Sequence, residues 1–151
     1  MGHLRLSLWK VVTTLFFIGY LPVAPGTFGS LAGLVFVWIA DPGLTGLASV
    51  AAIAFVAGTI GSGAVERELG QRDPGCIVVD EFVGYLVAVA GLPHTGAYLV
   101  AAFFLFRFFD ILKPRPIRDV EEHVGGGLGI MLDDVLAGLI ANAVLQVWRL
   151  L

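Results

Sequence analysis

FVGYLVAVAGLPHTGAYLVAAFFLF, residues 82–106, carries no formal charge from end to end, and its reading decides the fold. Taken as one long membrane span, it would leave Arg67/Arg72 and Lys113/Arg115/Arg118 on opposite sides of a bilayer. Taken as two shorter spans split at Gly91-Leu92-Pro93-His94-Thr95-Gly96, it returns the chain. Arg5/Lys10, Arg67/Arg72 and Lys113/Arg115/Arg118 then share one side, and only Arg149 lies opposite. Lysine and arginine collect on the cytoplasmic side of membrane proteins, so the split is the better reading.

The flanking segments follow the same pattern. Residues 11–40 carry no formal charge, yet Pro22–Gly29 must interrupt a helix there. The expectation is a short helix near 8–20, a Gly/Pro loop, and a helix near 28–40. Asp41-Pro42-Gly43 reads as a turn, and the uncharged stretch 44–65 reaches the roughly 20 residues that a bilayer needs. A last apolar segment runs from near Ile130 to Trp148. The predicted fold is therefore all-α, an integral membrane helical bundle of about five short membrane-embedded helices plus an N-terminal interfacial helix. One domain covers residues 1–151. Several segments are short for a hydrocarbon core of about 30 Å, so tilt or partial re-entry is expected. Trp9 and Lys10 suit an interfacial anchor. The opening resembles that of a signal peptide, but Pro22–Gly26 follows in place of a cleavage site, so it reads as retained.

Composition supports the membrane class. The 151 residues are 58% hydrophobic and 14% charged, against about a quarter charged in soluble domains, and mean hydropathy is +0.91. Twenty glycines suit closely packed membrane helices. The net charge of -3 and the lack of a basic tract argue against nucleic acid as a partner. Cys76 is the single cysteine, which excludes a disulfide framework and a thiolate metal site. His3, His94 and His123 are too scattered for zinc, and only His123, near the polar loop, is a candidate general acid.

In so apolar a chain the placement of acids is informative. Asp80-Glu81, Asp110 and Asp133-Asp134 each lie at the margin of a hydrophobic segment, where a carboxylate is costly unless paired, metal-bound or chemically employed. In the split topology they share one level with Ala24–Ser30 and Glu66. Ala24-Pro25-Gly26-Thr27-Phe28-Gly29-Ser30 precedes a helix, so Gly26, Thr27, Gly29 and Ser30 form either a phosphate cradle or a capped turn. Asp80 and Glu81 suit a helix start and point about 100° apart, which predicts different partners. Arg107, Asp110 and Lys113 recur at i, i+3, i+6 on one stripe, either as a salt-bridge ladder or as a cationic clamp on phosphate. Pro114 and Pro116 stop that helix. A flexible run, Gly125–Gly129, leads to Asp133-Asp134 at a helix start, and acid pairs facing one another make the oxygen-rich setting that Mg²⁺ prefers.

Four blocks occur in one order: Ala-Pro-Gly-Thr-x-Gly-Ser at 24–30, Asp-Glu-x-x-Gly at 80–84, Phe-Arg-x-Phe-Asp-x-x-Lys-Pro-x-Pro-Ile at 106–117, and Gly-Gly-x-Gly-Ile-Met-x-Asp-Asp-x-x-Ala-Gly at 126–138. Together they resemble the phosphatidylglycerophosphatase A family, bacterial membrane enzymes of phospholipid synthesis, from about Gly19 to Leu145. The resemblance implies an all-helical fold and Mg²⁺-dependent hydrolysis of phosphatidylglycerophosphate to phosphatidylglycerol and inorganic phosphate. On that reading Glu66, Asp80 and Asp134 hold Mg²⁺. Lys113, Arg107 and Gly26–Ser30 bind phosphate, Asp133 or Glu81 is nucleophile or base, and Asp110 positions Lys113. The expected setting is the inner (cytoplasmic) membrane with the site facing the cytoplasm, a phospholipid as substrate, and an open oligomeric state.

Two other classes fit less well. A lipid-alcohol phosphotransferase would carry an Asp-Gly-x-x-Ala-Arg signature with two further spaced aspartates, which is absent. A small transporter would place its acids near the bilayer midplane and show repeat symmetry, and no repeat is visible.

Overall fold

The structure is a computed structural model. It describes residues 2–151, with side chains from Ser7 onward, so the readings on His3 and Arg5 fall outside the described side chains. Seven helices and no strand occur among the described residues: α1 Gly2–Thr13, α2 Pro25–Ala40, α3 Leu44–Leu69, α4 Val79–Val89, α5 Gly96–Leu112, α6 Arg115–His123 and α7 Gly126–Leu150, with a 3-10 turn at Ile18–Tyr20.

The break inside 82–106 is real. Helix α4 ends at Ala90, Gly91 turns the chain at φ 70°, and α5 begins at Gly96. Residues 90–95 lie at the far end of α4 from its acids. There His94 Nδ1 sits 2.8 Å from Asp41 Oδ1, tying this turn to the Asp41-Pro42-Gly43 turn between α2 and α3.

Helix α4 is the centre of the bundle, packed on α2, α3, α5 and α7. Its apolar side chains Tyr85, Leu86 and Val89 join Phe106 of α5 and Ala137, Ala141 and Leu145 of α7 in the main core. A second cluster, including Val65, Ile77, Val83 and Met131, packs nearer the acids. Small residues bring α4 and α7 together. A Cβ on Gly84 would meet the Asp134 carbonyl at 2.8 Å, and one on Gly138 would run into the Gly84 carbonyl.

At 11 residues α4 is roughly 16 Å long, too short to cross a hydrocarbon core. Its carbonyl end is closed by α7 instead. Asn142 Nδ2 donates to the Ala88 and Ala90 carbonyls at 3.0 and 2.8 Å, Gln146 Nε2 to Ala90 at 3.3 Å, and Arg149 Nη1 to Gly91 at 2.9 Å. These side chains satisfy acceptors that would otherwise be stranded away from water.

Among the described residues two helices, α3 and α7, are long and apolar enough to cross a membrane. In α3 only 17% of the apolar window is buried, against 50% in α7, so Ile53, Val56 and Ile60 face outward. A soluble core helix would bury such residues, so lipid is the solvent that suits α3. The remaining apolar helices α2, α4 and α5 are shorter than a full span.

Several local readings change. Helix α2 starts at Pro25, three residues before the predicted start, so Gly26–Ser30 is helix and not loop. Proline at the first helical position explains this, because its fixed φ suits the start and the missing N–H costs nothing there. Neither Thr27 nor Ser30 is an N-cap, since Ser30 Oγ donates back to the Gly26 carbonyl at 3.0 Å. Likewise α7 starts at Gly126, which makes Gly125–Gly129 a packed helix start and not a flexible run. Gly127 lies where any side chain would strike the Thr59 carbonyl. Asp133 and Asp134 therefore stand two turns inside α7. The segment 8–20 is helix only to Thr13, followed by left-handed residues at Leu15, Phe16 and Phe17. Pro114 and Pro116 do stop α5, but they also open α6, a helix that the sequence reading omitted.

Candidate active site

Three carboxylates meet where α4 begins. Asp80 and Glu81 lie in the first turn of α4, and Asp134 reaches them from α7. One oxygen from each lies within 4.8 Å of the others. Asp80 and Asp134 are only 7% and 4% exposed. Asp80 Oδ1, Glu81 Oε2 and Asp134 Oδ2 are buried without a hydrogen-bond partner. Burying charged oxygens unpaired is expensive, and two neighbouring acids add repulsion. Hard oxygen donors at this spacing fit a cation such as Mg²⁺.

Cationic side chains border the trio. Arg107 Nη1 is ion-paired with Asp110 Oδ2 and lies 3.9 Å from Glu81 Oε1, while its Nε is buried and unpartnered. Gly26 of α2 closes this side, since a Cβ there would strike Glu81 and lie 3.3 Å from Arg107 Nη1. Gly29 packs against the Val78 carbonyl, Ser30 is buried, and Thr27 is partly buried.

Lys113 forms a second centre. Its backbone is left-handed, at φ 44°, and ends α5 with its N–H on the Phe109 carbonyl. The Nζ lies 2.9 Å from both Asp133 Oδ2 and Glu121 Oε1. Partial burial alone would lower the ammonium pKa, but the hydrogen bonds it donates to Asp133 and Glu121 outweigh that and hold it above its ordinary value. Asp133 Oδ1 in turn accepts the Asp134 N–H at 3.0 Å, so both Asp133 oxygens are engaged.

Beside Asp133 a cleft of about 410 Å³ opens, lined by residues that include Glu66, Arg72, Asp73, Glu121 and Gly126. Glu66 Oε1 accepts the Asp73 N–H at 3.4 Å. The structure thus groups Glu81, not Glu66, with Asp80 and Asp134, and places Glu66 in the cleft. It also pairs Asp110 with Arg107, not with Lys113. The stripe read along α5 breaks at its last member because Lys113 leaves helical geometry. Asp80 and Glu81 were expected to take different partners, but both join Asp134 in one trio, and only Glu81 also lies beside Arg107. His123 is exposed, its Nδ1 held 2.7 Å from the Asp119 carbonyl of its own helix. Glu121 and Arg72 were not anticipated. The signal for Glu121 lay in Ile117, Val120 and Val124, whose i, i+3, i+7 spacing marks a helical face.

Comparison with known proteins adds an independent line. The family model described as Phosphatidylglycerophosphatase A matches residues 11–149. A Haemophilus influenzae protein of that name is 41% identical over 138 residues, covering 87% of this chain and 85% of its own. An Escherichia coli protein of the same name is 35% identical over 139 residues, covering 91% of this chain and 81% of its own. A Bacteroides thetaiotaomicron protein, provisionally named a phosphatidylinositol-3-phosphatase, is 38% identical and covers 92% of each chain. No solved structure matches.

Proposed function

This chain belongs to the phosphatidylglycerophosphatase A family, and on that ground we propose that it hydrolyses phosphatidylglycerophosphate to phosphatidylglycerol and inorganic phosphate. The observation that carries the reading is the set of three buried, unpartnered carboxylate oxygens beside Arg107, with the Lys113–Asp133 pair next along α7. A phosphomonoester needs its own charge neutralised before water can attack it.

Asp80, Glu81 and Asp134 would hold Mg²⁺, with Glu66 kept at the cleft. The bound ion supplies charge neutralisation at the phosphoryl oxygens. Arg107, with Nε spare, and Lys113, with one N–H left of three, hold phosphate oxygens as charge builds in the transition state. Asp110 fixes Arg107, and Asp133 fixes Lys113. Both Asp133 oxygens are occupied, which leaves Asp133 to hold Lys113 rather than to attack or to take a proton. Gly26 leaves room for that face, and Thr27, Gly29 and Ser30 shape the α2 wall.

The setting we infer is a bacterial inner membrane, spanned by α3 and α7 with the shorter α2, α4 and α5 embedded beside them, and with the site on the cytoplasmic side. Support comes from Lys10, Arg67, Arg72, Lys113, Arg115 and Arg118 at the acidic end and Arg149 at the other.

The test is phosphate release from phosphatidylglycerophosphate, phosphatidic acid and phosphatidylinositol-3-phosphate, each with Mg²⁺ and with chelator. Phosphatidylglycerophosphate should be preferred and chelator should abolish release. Asp80→Asn and Asp134→Asn should each cost about 100-fold or more. Full activity in these variants, folded and membrane-inserted, would place the chemistry elsewhere.

A further inference from the structure

Glu121 is the one polar contact of Lys113 that the proposed reaction leaves without a task. It lies on α6 and is held twice: its Oε1 is 2.9 Å from Lys113 Nζ, and its backbone carbonyl accepts the Arg72 guanidinium. The two carboxylates on Lys113 are unequal. The Asp133 side chain is 6% exposed and that of Glu121 is 42% exposed. Breaking the Asp133 pair would strand a buried charge, which is costly. Breaking the Glu121 pair returns a carboxylate to water at little cost. Glu121 also lines the cleft beside Asp133, so an oxyanion reaching Lys113 from the cleft meets Glu121 already seated there.

We propose that Glu121 is an internal competitor for the Lys113 phosphate seat, displaced when a phosphate dianion arrives and returning when product leaves. It thereby sets how tightly substrate phosphate and released phosphate are held. With Asp133 and Glu121 both present, the Lys113 group carries a net negative charge, which weakens the hold on a dianion and favours release. This rests on reading Lys113 as a phosphate ligand.

The experiment measures KM for phosphatidylglycerophosphate and the inhibition constant of inorganic phosphate for the full chain in detergent. Glu121→Gln should lower both together, by about threefold to tenfold, the scale of one partly exposed ion pair. Glu121→Asp, which keeps the charge, should restore values near those of the unaltered protein. Unchanged or raised constants in Glu121→Gln overturn the proposal, including the case in which the variant only unfolds at lower temperature. Lys113→Met separates the two readings. If it keeps normal KM and phosphate inhibition, the assignment of Lys113 falls. If it loses both while Glu121→Gln moves neither, only the competitor role falls.

Discussion

Gly26 shows how much of the site depends on an absent side chain. A methyl group there would press on Glu81 and lie 3.3 Å from Arg107 Nη1, two groups that the mechanism needs in register. Gly26→Ala should therefore cut turnover by tenfold or more, at about the price of a 1 Å misplacement, while thermal unfolding in detergent shifts little. An equal loss of both would mean that Gly26 serves packing alone. The acids themselves were legible because carboxylates in an apolar chain are costly without partners. Which acid meets which cation was not. Spacing along α5 put Arg107, Asp110 and Lys113 on one stripe, but the left-handed turn at Lys113 swings it toward Asp133 and Glu121. The family resemblance makes Glu66 a ligand, and nothing local tells that its carboxylate accepts the Asp73 N–H.

At the scale of elements, the split of 82–106 was readable from charge placement, and α3 was readable from length and hydropathy. Helix starts were not. Pro25–Ser30 and Gly126–Gly129 looked like loops by intrinsic propensity, but close packing against Val78, Thr59 and Gly63 selects helix in both. Tertiary contact outweighs propensity when a glycine is where another backbone must approach. Helix α4 depends on α7 at both ends, which yields two expectations. Asn142→Leu strands the Ala88 carbonyl, leaves Ala90 to Gln146 alone, and should destabilise the protein by about 1–3 kcal/mol. Gly138→Ala pushes a methyl into the Gly84 carbonyl and should cost a similar amount, about 1–3 kcal/mol, through overpacking. Unfolding in detergent reads both. Gly138→Ala should also lower activity under conditions where it remains folded, because it moves α7 against α4.

For the whole molecule the membrane reading makes a vectorial statement. Burial pushes the Cys76 thiol up from its ordinary pKa, so it is a slow natural label, and Cys76→Ser gives a clean background. Glu122 and Thr45 are both exposed, at the cleft and at the start of α3. In that background Glu122→Cys should react with an impermeant maleimide only from the cytoplasmic side, and Thr45→Cys only from the other. Labelling of both from one side would remove the assigned orientation.

The contact between Gly84 and Gly138 has a mechanical meaning at this scale. Each glycine stands one helical turn beyond a site acid, Asp80 on α4 and Asp134 on α7, so the gap between those acids is gauged by backbone against backbone. The Phe106 ring and Val87 pack against the same contact and hold it in place. The distance between the two carboxylates is therefore set by how closely two backbones can approach, so a methyl added at either glycine is read out one turn away, at the acids.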